Sequence, residues 1–278
     1  MRLILIFGLA AALMSCGKKD SAEPAPVPTT SASAPTVPNQ LTLEISTDTL
    51  GTSQGLSDPG FVGLYHTLAI TVIKLTNLAM AVQLAVPVAA VAKALTTTPT
   101  YQGDDTWLWS YTFNQSGTTT PTYTAELTGK QSGANATWSF AVTKEPLDSA
   151  NCCTKFVWLT GTSTGSTAGT WTINDHTTPT TVTKNRTLAW TFTSATDRTL
   201  KLTADKVDAT ATNAGWVAGG FVNYVSTAAA ITMTVDKDPS NAAKTEVIWN
   251  PSTKEGSLLN EEGTKVCWDT ALVNTTCK

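Results

Sequence analysis

The chain has 278 residues, with 18 Lys+Arg against 21 Asp+Glu, a net charge of −3, and only 14% of its residues charged. This offers none of the basic stripe or patch by which proteins recognise nucleic acid, so no nucleic-acid partner is expected. Nine tryptophans and a wealth of Thr favour strands, since aromatic and β-branched side chains suit a pleated, half-buried surface.

The first twenty residues read "MRLILIFGLAAALMSCGKKD". Arg2 supplies a positive start and Leu3 to Met14 an apolar run, too short for a permanent span, which needs roughly 20 apolar residues. The pattern is that of a secretory leader, outside the fold. Leu13-Met14-Ser15-Cys16 resembles the bacterial lipobox, although Met14 is an uncommon occupant of its place. The resemblance implies cleavage by signal peptidase II before Cys16, a diacylglycerol on its thiol and acylation of the new amine. Acyl chains contributing about 0.8 kcal/mol per buried CH₂ would make a durable membrane anchor. Gly17, where enteric lipoproteins retained at the inner membrane carry Asp, implies the outer membrane, on its periplasmic face or at the cell surface. Residues 1–15 are thus expected to be signal peptide, and 16–40 a lipidated Cys followed by a Pro/Ser/Ala/Thr-rich tether. Where such a spacer is polyproline-like it extends about 3.1 Å per residue. Residues 41–278 are expected to form a single all-β domain.

Within that domain the segment at 59–95 stands apart as an apolar helix. Asp58 can cap it, Pro59 suits the first helical position, and Pro99 lies beyond its end. His66, Thr67, Thr71, Lys74 and Asn77 form a narrow polar stripe; beyond Asn77 only Gln83 and Lys93 interrupt the apolar surface. Pro87 is expected to kink or divide the helix. A helix apolar on every side is buried or in a membrane; Asn77, Gln83 and Pro87 favour burial against a sheet.

From Tyr101 onward, twelve short alternating runs recur with turn residues between them, from "TWLWSYTF" to "KVCWDT". This spacing predicts antiparallel strands. Three stretches share a strand, a polar turn with Pro, and a second strand in which Trp158, Trp190 and Trp249 hold equivalent places. With loose copies and uneven spacing they predict a β-meander rather than propeller blades. The fold class is mainly β: an antiparallel meander forming a barrel or strongly curved half-barrel, around or covered by the helix. That inferred architecture is similar to the LolA/LolB carriers, in which an incomplete barrel and helical lid enclose lipid.

Cysteines Cys152, Cys153, Cys267 and Cys277 allow three disulfide pairings, of which Cys267–Cys277 is favoured because the intervening segment can fold back. No metal site or cofactor is expected. "DKDPSN" (Asp236, Asp238, Asn241) lacks an EF-hand's Gly and terminal Glu. His66 and His176 are the only obvious general bases, and no nucleophile motif accompanies them, so surface or capping roles are expected. "GTSTGSTAGTW" has neither phosphate-binding spacing and reads as a hairpin, and Asp104-Asp105 reads as a turn. Trp109, Trp158, Trp190 and Trp249 either pack inward against the helix, as alternation favours, or face out to bind sugars or apolar ligands. Asp-Ser/Thr-apolar triplets at Asp20, Asp48, Asp148 and Asp269 resemble Bacteroidetes O-glycosylation sites. The resulting expectation is a non-enzymatic envelope lipoprotein, structural or binding an apolar ligand between helix and sheet. The alternative is a surface-exposed module that binds a glycan or protein partner through aromatics and Thr-rich hairpins.

Overall fold

A computed structural model describes residues 33–39, 45–51, 63–114, 122–146, 154–175, 183–206 and 216–278. Cys16, Cys152, Cys153, His176, Asp58 and Pro59 lie outside these residues, as do the leader and most of the tether. The side chains of residues 81–83 also lie outside the description.

Each of the twelve alternating runs is a strand, and a short strand is added at either end. In chain order they are β1 (Thr100–Gly103), β2 (Thr106–Asn114), β3 (Thr122–Ser132), β4 (Asn135–Glu145) and β5 (Phe156–Thr164). Then come β6 (Ala168–Asn174), β7 (Lys184–Phe192), β8 (Arg198–Ala204), β9 (Phe221–Ser226) and β10 (Ile231–Asp236). The last four are β11 (Thr245–Trp249), β12 (Gly256–Leu259), β13 (Lys265–Trp268) and β14 (Asn274–Thr275). They form one 14-stranded antiparallel meander in which spatial order equals chain order, and β1 does not pair with β14. The sheet is an open half-barrel, not a closed barrel. Its two edge strands are short, one of the ways proteins keep an unpaired edge from recruiting another chain. The three Trp-bearing stretches are the hairpins β4–β5, β6–β7 and β10–β11.

One inner row explains how so many tryptophans fit. Directly opposed residues run Trp107, Gly129, Trp138, Gly161, Trp171 and Leu188 across β2 to β7. The row continues as Leu202, Val222 and Val235 across β8 to β10. Neighbouring strands lie about 4.8 Å apart, too close for indoles on consecutive strands to lie flat. Glycine between them makes the room: a Cβ on Gly129 would stand 2.6 Å from Trp138, and one on Gly161 2.6 Å from Trp171. The indole centroids of Trp109, Trp138, Trp171 and Trp190 follow one another at 5.7, 6.3 and 6.4 Å. On the opposite face lies a row of hydroxyls, Thr128, Ser139, Thr160, Thr172, Thr187 and Thr203.

The helix α1 spans Leu64–Ala94 and starts later than the expected position 59. Its N-cap is Gly63, which offers no side-chain cap; Asn274 of β14 supplies one from across the fold, its Oδ1 accepting from the Tyr65 N–H at 3.0 Å. The arms Leu64–Met80 and Leu84–Ala94 meet at 75°. The bend precedes Pro87 by a turn, where its ring meets the carbonyl of residue i−4 and where a hydrogen bond is missing. No single helix among the described residues is long and apolar enough to cross a membrane, although the two arms together pass by length and composition.

At its ends α1 is fastened to both ends of the sheet. The buried Tyr111 hydroxyl of β2 donates to the Ala90 carbonyl at 2.9 Å, and burial pushes the phenol pKa well up. Near the other end His66 makes an edge contact with Trp268 of β13, ring centroids 5.7 Å apart. The helix thus lies inside the curve. It is not wholly covered: Leu68 is 42%, Leu75 61% and Leu78 60% exposed. These residues follow a helical stripe, so one apolar face looks outward, contrary to the expected burial.

Two members of the expected polar stripe are structural. His66 is 1% exposed, not at the surface, and its Nε2 donates to the Leu50 carbonyl at 2.9 Å. Asn77 pairs with the backbone of Ile45. Thr71 and Lys74 are exposed as expected. The Cys267–Cys277 disulfide is formed, Cα atoms 5.2 Å apart, tying β13 to the C-terminal segment.

Candidate functional site

The sequence places no chemistry at the elbow of α1, yet a pocket opens there. α1 packs closely on β2 and on β12 to β14. Between these anchors its Leu75, Thr76, Ala79 and Met80 face β7 to β10 across a space of about 200 Å³. The floor is the end of the inner row, Leu202, Val222 and Val235, one residue from each of three adjacent strands. Trp216 forms a wall. It fits because Gly220 lacks a side chain: a Cβ there would stand 3.0 Å from the indole and closer still on the backbone of Lys237. An apolar cavity of about 150 Å³ is enough to stay dry and hold a benzene-sized molecule. Leu75, exposed at the mouth, continues the pocket's apolar surface to the outside.

Two cations line the same pocket, Arg186 and Lys237. One step along the strands from the apolar floor, Arg186 opposes Ala204. The N–H of Ala204 donates to the carbonyl of Gly220, and the pairing Asp236↔Phe221 places Lys237 at the level of Gly220. Both cations therefore mark one end of the pocket. Lys237 is paired with Glu261 at 2.6 Å. Arg186 shares the inward parity of Leu188 and Trp190 and is partly buried. Burial pushes its guanidinium pKa down while the field of Asp205 raises it. The Asp205 carboxylate is already held by Lys184 at 2.9 Å and the Thr187 hydroxyl at 2.7 Å. Arg186 makes no hydrogen bond or ion pair with any described residue.

The tryptophans singled out from the sequence lie elsewhere. Trp109, Trp158, Trp190 and Trp249 are 3%, 7%, 2% and 1% exposed, face the core, and do not line the pocket. Alternation turns their faces inward, the packing it favours, and Trp249 Nε1 donates to the Thr49 hydroxyl at 2.9 Å. That bond also occupies the hydroxyl of the Asp48-Thr49-Leu50 triplet, whose Leu50 is fully buried. The loop at Asp236–Asn241 uses its oxygens on itself, Asp238 accepting from Ser240 N–H at 3.1 Å and Asn241 Nδ2 at 2.9 Å. Asp104 and Asp105, both at φ 54°, make the β1–β2 turn. Among the described residues no three His, Cys, Asp or Glu side chains gather to hold a metal.

Sequence reasoning missed Arg186, Trp216 and Lys237 because they come from separate strands and loops. The one available signal was Arg186 itself, a charge in register with the apolar positions of "RTLAWTFT". Comparison with protein-family models, curated proteins and solved structures finds no match.

Proposed function

We propose that the protein is a non-enzymatic lipoprotein of the cell envelope, anchored in the outer membrane through Cys16, whose half-barrel binds an apolar ligand between α1 and the sheet. The observation that carries this reading is the apolar pocket at the elbow of α1, floored by Leu202, Val222 and Val235 and open beside the exposed Leu75. The exposed leucines Leu68, Leu75 and Leu78 along α1 make an apolar patch beside this space, of the kind that marks ligand-binding grooves. Titrating the delipidated protein with the neutral fluorophore N-phenyl-1-naphthylamine tests it. Saturable binding at one site per chain supports the reading; a linear, non-saturating signal removes it. Labelling cells with radioactive palmitate tests the anchor, with label on the native chain and none on Cys16→Ala.

A second reading, a surface-exposed module for a glycan or protein partner, is favoured by the outer row of hydroxyls from Thr128 to Thr203. Protease treatment of intact cells separates the two, because a chain fully protected in whole cells cannot serve at the surface.

A further inference from the structure

We infer that the pocket takes a single-chain amphiphile with a carboxylate head, its chain along Leu202, Val222 and Val235 and its head against Arg186. This rests on the proposed apolar-ligand reading and names the class of ligand. The pocket, about 200 Å³, lies below the roughly 300–1,000 Å³ typical of sites for drug-sized molecules. One short acyl chain fits that space better than the paired chains of a phospholipid.

The head group follows from charge. A guanidinium partly withdrawn from water gains from a partner, and Arg186 stays charged throughout the accessible pH range. Its neighbour Asp205 is committed to Lys184 and Thr187, and the other pocket cation, Lys237, is committed to Glu261. Asp205 therefore reaches Arg186 through its field, and the planar fork is the one pocket cation without a hydrogen-bonded partner among the described residues. Arg186 opposes Ala204, two residues along β8 from the floor residue Leu202. A guanidinium accepts a carboxylate in two parallel hydrogen bonds. The bland alternative, an arginine whose stem merely covers the core while its head seeks water, predicts no preference for a charged ligand.

Competition against N-phenyl-1-naphthylamine with decanoate and 1-decanol at pH 7.5 tests the inference. Hydrophobicity alone favours the alcohol, so a preference for the acid has to come from the cation. The native protein is expected to bind decanoate at least about tenfold more tightly than decanol, the scale of one charge-assisted hydrogen bond. In Arg186→Met the order reverses, and in Arg186→Lys, which keeps the charge and loses the fork, the preference shrinks. Circular dichroism and the thermal midpoint establish that each variant is folded. Equal displacement by acid and alcohol in the native protein overturns the head-group assignment and leaves the apolar pocket standing. A preference for acid that survives Arg186→Met also overturns it. If the fluorophore itself does not saturate, the pocket reading fails first and the inference with it.

Discussion

The carboxamide of Asn77 holds both backbone groups of Ile45: its Nδ2 donates to the Ile45 carbonyl at 2.9 Å, and the Ile45 N–H donates to its Oδ1 at 3.1 Å. One side chain thus does for a segment of irregular backbone what a neighbouring strand would do. Ile45 is 3% exposed, so these groups have little water to fall back on. Replacing Asn77 with Ala is expected to lower stability by about 1–3 kcal/mol, the cost of leaving buried backbone groups unpaired. Urea unfolding measures it, and amide exchange should show loss of protection at Ile45. Unchanged protection there would show that Asn77 does not hold this backbone.

His66 predicts a pH dependence with a definite sign. Burial lowers its pKa below 6.5, opposed by its hydrogen bond to the Leu50 carbonyl. The unfolded chain therefore takes up the proton at a higher pH than the folded one. Stability is full above the ordinary histidine value and falls as pH drops through it, levelling only when the folded imidazole protonates. The urea midpoint is expected to decrease between pH 7.5 and 5.5, and the decrease to be smaller in His66→Gln. An equal slope in the variant would assign the effect to another group.

Gly161 separates Trp138 from Trp171 on the inner row. A methyl at this position would stand 2.6 Å from Trp171 and meet the Thr170 carbonyl as well. Gly161→Ala is expected to cost about 1–3 kcal/mol through overpacking, with a changed near-ultraviolet tryptophan spectrum. Gly165→Ala is the useful contrast. Its Cβ would meet open space, so any loss there comes from its φ of 52°.

Much of this architecture was legible along the chain. The twelve strands announced themselves because alternation of apolar and polar residues is local, and so did the ten-residue separation of Cys267 and Cys277. What was not legible depends on partners remote in sequence. The start of α1 is set by Asn274, and the burial of His66 by Leu50 and Trp268. The pocket was invisible for the same reason: it exists only where α1 leaves the sheet, and its lining comes from α1, four strands and two loops. The bend between Met80 and Leu84, by contrast, was legible, because Pro87 disturbs the turn before it.

If the space beside α1 is a binding site, filling it should weaken binding. Val222 is 7% exposed and sits mid-floor, so Val222→Phe directs a ring into about 200 Å³ of room. The measurement is calorimetric titration of decanoate into the native protein and Val222→Phe, with thermal midpoints recorded alongside. One site per native chain is expected, and in Val222→Phe a loss of at least about tenfold in affinity, roughly 1.4 kcal/mol, with the fold retained. Undiminished binding in a folded Val222→Phe variant would show that the ligand sits elsewhere.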